Sequence, residues 1–196
     1  MLAGVSHDLR TPLTRMKLQL SLMNDSREKK ELENDINEMT AMLHSYVSFV
    51  KSETPDPIEE IKFHDFLQEI CESTKINNKK ISLEILKKVK STGRPLQLKR
   101  CFVNLIGNSI RYAEKVIIEL NVVKKNIVIN ISDNGPGIPK SKHEDVFKPF
   151  FTLDASRNKL KGESGLGMTI SRDIIRSHGG DIMLSESSFG GLKVSV

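Results

Sequence analysis

Asn126-Ile127-Val128-Ile129-Asn130-Ile131-Ser132-Asp133-Asn134-Gly135-Pro136-Gly137-Ile138 is the stretch on which the fold of this chain turns. Asn126–Ser132 is β-rich and predicts a strand. The strand gives out on an acid followed by two glycines and Ile138. A carboxylate at that position can accept a hydrogen bond from an exocyclic amine such as adenine N6. Gly135 and Gly137 carry no side chain, so a planar ring can approach the backbone. Read alone, the segment also describes an ordinary glycine-rich turn at a strand end.

The neighbours on either side extend the pattern. Lys115–Val123 is a second β-rich run, separated from the first by the turn at Lys124-Lys125-Asn126. Pro95 to Ala113 predicts a helix, with the proline suited to its first turn. Asn104 and Asn108 lie four residues apart, on one face of that helix. Amide oxygens are hard ligands that suit a Mg2+ already carrying phosphate oxygens. Arg111 and Tyr112 follow on the next turn, within reach of a phosphate and a base. A pair of Asn on a helix also describes a solvated face. Downstream, Ser164-Gly165-Leu166-Gly167 opens a helix predicted over Gly165 to His178 and ended by Gly179-Gly180. Free amides at a helix N-terminus, with the helix dipole, form an anion site; a tight loop would look the same. No Gly-x4-Gly-Lys-Ser/Thr and no G-x-G-x-x-G occurs, which disfavours Walker and Rossmann nucleotide sites.

Further elements complete an α+β sandwich with a mostly antiparallel sheet. Strands are predicted over Ile58–His64, Ile81–Val89, Asp181–Ser185 and Leu192–Val196, the last two around Gly190-Gly191. A helix is predicted over His64–Asn77, with Phe66, Leu67 and Ile70 inward.

Residues 1–51 read differently. Leu9, Leu13, Met16, Leu20 and Met23 recur at steps of three and four, as do Leu32, Ile36, Met39, Leu43, Tyr46 and Val50. Asn24-Asp25-Ser26 supplies turn and cap chemistry between two helices. One hairpin cannot bury both stripes, so a four-helix bundle formed by a homodimer through residues 1–53 is expected; a hairpin docked on its own globular domain would show the same stripes. Residues 54–57, with Pro55 and Pro57, form a linker, and residues 58–196 form the second domain. The first helix carries Val5-Ser6-His7-Asp8-Leu9-Arg10-Thr11-Pro12, an imidazole beside a carboxylate. Pro12 leaves its helix one hydrogen bond short.

Composition narrows the classes. With 38% hydrophobic and 28% charged residues, the chain reads as a soluble globular protein. The net charge of +5 is scattered, and with no Trp and two Tyr the chain lacks a stacking surface for nucleic acid. No run of 18 apolar residues is present, so no membrane contact by this chain is expected, nor is a signal peptide read. Cys71 and Cys101 stand apart, as buried thiols of a reducing, cytoplasmic compartment do. His44, His64, His143 and His178 fall in no metal-ligand pattern.

Taken together, the motifs resemble those of sensor histidine kinases. His7-Asp8-Leu9-Arg10-Thr11-Pro12 is similar to the family's H-box and Asn104-Leu105-Ile106-Gly107-Asn108 to its N-box. Asp133 to Gly137 is similar to the G1 box, Phe147-Lys148-Pro149-Phe150 to the F-box, and Gly165-Leu166-Gly167 to the G2 box. The resemblance spans essentially the whole chain and implies an ATP-binding sandwich of the kind shared with Hsp90, type II topoisomerase and MutL. It implies that His7 takes a phosphoryl group from Mg-ATP and passes it to an aspartate on a response-regulator receiver domain. Asp8 is then the residue that orients the imidazole and takes its proton. Thr11 matches the family position that aims water at the phosphorylated regulator. ATP would be held by Asn104, Asn108, Arg111, Tyr112, Asp133, Gly135, Gly137, Ile138, Phe150, Gly165, Leu166 and Gly167, with Asn108 on the metal. Residues 139–164 would form a lid anchored by Phe147 and Phe150, with Arg157, Asn158, Lys159 and Lys161 polar and mobile. The chain, if part of a receptor, would be its cytoplasmic portion.

Two departures favour a second reading, a degenerate or truncated kinase acting as a phosphatase or dimerisation module with weak ATP binding. Glu163 stands where the family has the first G2 glycine. An acid aimed at a triphosphate would cost roughly 1–4 kcal/mol before screening. Only six residues precede His7, so its helical turn is expected to fray.

Overall fold

The computed structural model describes residues 2–50, 56–74, 80–153 and 165–196, with the backbone alone at 2–10, 38, 41–50 and 80. The chain divides into two compact units, residues 1–55 with 148–166 and residues 56–147 with 167–196.

The first unit holds helices α1 (Leu2–Ser21) and α2 (Arg27–Val50). α1 runs unbroken through Pro12. The turn is built as the sequence predicts. Ser26 Oγ accepts the amide of Lys29 at 3.1 Å, and Lys29 Nζ reaches back to the carbonyl of Met23 and to Asp25 Oδ1. Leu13, Leu20 and Ile36 bury together between the helices. Met16, Met23, Leu32 and Met39, also on the predicted seam, stay exposed. The seam positions Leu9, Leu43, Tyr46 and Val50 carry side chains outside the described residues.

The second unit is built on a five-stranded sheet in the order β2-β4-β5-β7-β6. Its strands are β2 (Lys80–Ile85), β4 (Lys115–Val123), β5 (Asn126–Asp133), β6 (Met183–Glu186) and β7 (Leu192–Ser195). β2 runs parallel to β4, and every other pairing is antiparallel. A separate two-stranded sheet pairs β1 (Glu59–Lys62) with β3 (Lys90–Gly93). Three helices complete the unit: α3 (Phe63–Ser73), α4 (Pro95–Tyr112) and α5 (Gly167–Ser177). Burial alternates along β4, where Val116, Ile118 and Leu120 are sealed, and β5 adds Ile129 and Ile131. α4 meets this face with Leu98, Phe102, Leu105 and Ile106, and α3 with Leu67 and Ile70. The β4–β5 hairpin turns on Lys124 and Lys125, both at positive φ (49° and 76°), the pair of angles a two-residue turn of matching twist needs.

Three expectations are corrected. The strand predicted over Ile81–Val89 ends early, and a strand that was not predicted follows it. β2 ends at Ile85, the amides of Leu86 and Lys87 both turn onto the carbonyl of Leu120, and β3 begins at Lys90 in the other sheet. The last helix starts at Gly167 rather than Gly165 and stops at Ser177. The helix predicted over His64–Asn77 spans Phe63–Ser73, and its predicted end falls among residues 75–79, outside the described residues.

Candidate functional site

The site begins at the end of β5. Asp133 is 4% exposed. Its Oδ1 accepts the amide of Gly135 at 2.9 Å and that of Leu192 at 3.1 Å. Oδ2 takes no hydrogen bond from any described residue and is not sealed from solvent. A carboxylate oxygen so placed can accept a donor from a ligand. Asn134 fixes the segment from the other side. Its Oδ1 accepts the amides of Glu114 (3.1 Å) and Lys115 (2.8 Å), joining the loop to the start of β4. Sequence reading passed over Asn134, although an Asn after a strand is a turn signal.

The glycines have reasons beyond ring access. A Cβ on Gly135 would stand 3.0 Å from the carbonyl oxygen of Tyr112, and Gly137 has φ +68°. Ile138 is half-buried, and its carbonyl accepts His143 Nε2–H at 3.0 Å. His143 therefore holds the loop, as a structural residue. His178 does likewise: its Nδ1–H donates to the carbonyl of Ile174 and its Nε2 accepts the amide of Arg94.

α4 supplies the second part. Asn104 and Asn108 share one half-buried face, and neither carboxamide makes a hydrogen bond among the described residues. Arg111 and Tyr112 are exposed on its last turn. α5 packs against α4 through a pair of exchanged bonds, Cys101 Sγ to the carbonyl of Ser171 and Ser171 Oγ to the carbonyl of Cys101. This packing sets Gly167 beside Asn104, where a Cβ would lie 3.9 Å from Asn104 Cγ. Burial pushes the Cys101 thiol up to about 12.

Arg172 of α5 clamps the turn at Asp145–Phe147. Its guanidinium lies 4.3 Å from the Phe147 ring centroid, donates to Glu144 at 2.8 Å and to Asp181 at 3.0 Å. Thr169 Oγ1 adds a bond to the carbonyl of Phe147. Arg176 and then Arg172 hold the Asp181 carboxyl well below the usual carboxylate range, and Arg172 lowers Glu144 in the same way.

In the first unit, Phe150 and Gly165 close the base of the segment 151–164. Phe150 N donates to the carbonyl of Gly165 at 3.1 Å, both have positive φ (62° and 63°), and a Cβ on Gly165 would strike the Phe150 backbone at 2.7 Å. Phe150 is 52% exposed. It is therefore not packed as an anchor would be, whereas Phe147 is 8% exposed. Leu166 is buried. Arg157, Asn158, Lys159, Lys161 and Glu163 lie outside the described residues. His7 and Asp8 lie on α1, with side chains outside the described residues, as is that of His44 on α2; Thr11 is exposed one turn on from His7.

Among the described residues no group of three or more His, Cys, Asp or Glu could hold a metal, and no helix is long and apolar enough to cross a membrane. A cation here would rest on carboxamides, which fits Mg2+ arriving with phosphate oxygens of its own.

Residues 93–196 match the family of histidine kinase-, DNA gyrase B- and HSP90-like ATPases, and residues 1–54 match the His Kinase A phospho-acceptor domain. The chain belongs to the sensor histidine kinases of that ATPase family. It is 32% identical to the sensor histidine kinase GtrS of Pseudomonas aeruginosa over 99% of its own length and 40% of that protein's. It is 26% identical to the sensor histidine kinase CpxA of Escherichia coli (strain K12) over 100% of its length and 46% of the relative's. The chain thus spans less than half the length of these curated relatives. The histidine kinase AdeS of Acinetobacter baumannii shares the fold, with a TM-score of 0.63 at 22% identity, over 96% of this chain and 95% of that one.

Proposed function

We propose that this chain is the core of a sensor histidine kinase, which phosphorylates its own His7 from Mg-ATP and passes the phosphoryl group to an aspartate of a response-regulator receiver domain. The observation that carries the nucleotide half is Asp133. Its Oδ1 is fixed by two amides while Oδ2 is left for a donor, and adenine N6 is such a donor where guanine offers a carbonyl. Family membership carries the acceptor half, His7.

A neutral imidazole nitrogen of His7 attacks the γ-phosphorus, the bond to the β–γ bridging oxygen breaks, and ADP leaves. Asp8 takes the proton from the other ring nitrogen. Asn108, with Asn104, would hold Mg2+, and when bound that ion neutralises triphosphate charge. Arg111 and the amides of Gly165, Leu166 and Gly167 add positive charge, while Tyr112, Gly135, Gly137, Ile138 and Phe150 border the base or ribose. Thr11 aims water at the phosphorylated receiver domain.

Residues 1–53 form the dimerisation and acceptor hairpin, 54–57 the linker and 58–196 the ATP-binding domain. The exposed seam of Met16, Met23, Leu32 and Met39 supports a homodimer. The chain works in the cytoplasm and, if it is a fragment, as the cytoplasmic portion of an inner-membrane receptor.

The test is transfer of labelled γ-phosphate. The chain with Mg-ATP should form an acid-labile, base-stable adduct that His7→Ala abolishes. Nucleotide binding without any label would end the kinase reading. Asn108→Ala should remove the Mg2+ dependence of nucleotide binding, and unchanged Mg-ATP affinity in that variant would discard the metal assignment.

A further inference from the structure

The turn between β6 and β7 has no part in the motifs above, yet it is built against Asp133. Ser187 is 4% exposed, its amide donates to the carbonyl of Gly191 at 2.9 Å, and its hydroxyl accepts the amide of Phe189 at 3.1 Å. Gly190 closes the turn at φ +86° with a bond back to the carbonyl of Ser187. The result is a rigid turn that delivers two things. The amide of Leu192 donates to Asp133 Oδ1, spanning fifty-nine positions of sequence. Gly191 presses its bare Cα against the same residue: a Cβ there would overlap Asp133 O, Asp133 Oδ1 and the amide nitrogen of Gly135. Backbone and a bonded carboxylate surround it, so no flexible side-chain end can yield.

We propose that Gly191 and the Leu192 amide are positioning residues for base recognition: they set the rotamer of Asp133 so that Oδ2 alone faces the purine. This rests on the assignment of Asp133 to the base. The β6–β7 turn thereby determines nucleotide preference without touching nucleotide. Gly191 cannot carry a side chain because the carboxylate occupies that space, whereas Gly190 has nothing within 4 Å of its Cβ position and answers only to its φ.

The experiment compares ATP and GTP binding by titration calorimetry for wild type, Gly191→Ala, Gly190→Ala and Asp133→Asn, with circular dichroism to confirm folding. Gly191→Ala should weaken ATP by about tenfold to a hundredfold, the effect of breaking one or two buried hydrogen bonds, and erode the preference for ATP over GTP. Gly190→Ala strains the turn but leaves the carboxylate alone, so it should keep that preference. Retained preference in folded Gly191→Ala, or equal loss in Gly190→Ala, overturns the proposal. A second measurement needs no nucleotide and no folded Gly191 variant. In Asp133→Asn the amide of Leu192 should exchange hydrogen at least about tenfold faster and shift with that of Gly135; an unmoved Leu192 amide overturns the proposal. If instead the Leu192 amide responds while Asp133→Asn binds ATP as wild type does, the positioning stands and the base assignment of Asp133 fails.

Discussion

Cys101 shows how one side chain reports on the packing around it. It is fully buried between α4 and α5, and burial raises its thiol from an ordinary 9.0 to about 12. A group whose folded value is raised stabilises the fold fully below its unfolded value and loses that contribution as pH climbs to the folded one. Stability in urea should therefore fall between about pH 9 and 12, by at most about 1.4 kcal/mol per pH unit from this group. Cys101→Ala should flatten that alkaline limb, and an unchanged limb would assign it to other groups. The thiol should also resist alkylation until the domain unfolds. Its isolation in the sequence already marks Cys101 as a buried apolar thiol. What the sequence did not carry was its partner: the exchange with Ser171 joins residues seventy positions apart.

At the scale of elements, the clamp from α5 onto the Asp145–Phe147 turn is the feature most open to test. Asp181 and Glu144 both have lowered folded values, so their stabilisation is complete only above their unfolded values, at about pH 5 and higher, and disappears as pH falls through the folded ones. Arg172→Ala should remove most of the Glu144 part and some of the Asp181 part, since Arg176 still holds Asp181. The variant should lose less stability than wild type on going from pH 7 to pH 3, and the difference should shrink in high salt because both carboxyls are solvent-exposed. Identical acid profiles would show the clamp to be inert. Deeper in the unit, Phe102 is 1% exposed and meets Phe66 edge-to-face at 6.2 Å. Phe102→Ala should cost about 3–5 kcal/mol, read as a loss in urea midpoint. The helices carrying these residues were legible because their periodicity is local. The end of β2 and the whole of β3 were not legible, because the amides of Leu86 and Lys87 turn onto the carbonyl of Leu120, a partner no window of neighbours contains.

For the whole molecule the testable property is self-association. Among the described residues the hairpin buries only Leu13, Leu20 and Ile36 within one chain and leaves Met16 43% and Met39 52% exposed on the same seam. Wild type should sediment as a dimer, and Met16→Glu with Met39→Glu should shift it to monomer while each nucleotide-binding domain keeps its ATP affinity. A dimer that survives both charges would place the interface elsewhere. By itself the sequence determined the α+β class with two helices at its start, the order of the boxes and the chemical type of each candidate residue. These follow from local periodicity, turn chemistry and residue type, which a linear string carries in full. Only the tertiary structure decided that Phe147 and not Phe150 is packed, that a Cβ at Gly135 would crowd the Tyr112 carbonyl, and that Gly191 and Leu192 back Asp133. Each of those rests on a close approach between atoms distant in the chain. Such distances arise when the sheet pairs and the helices dock, and no spacing along the sequence encodes them.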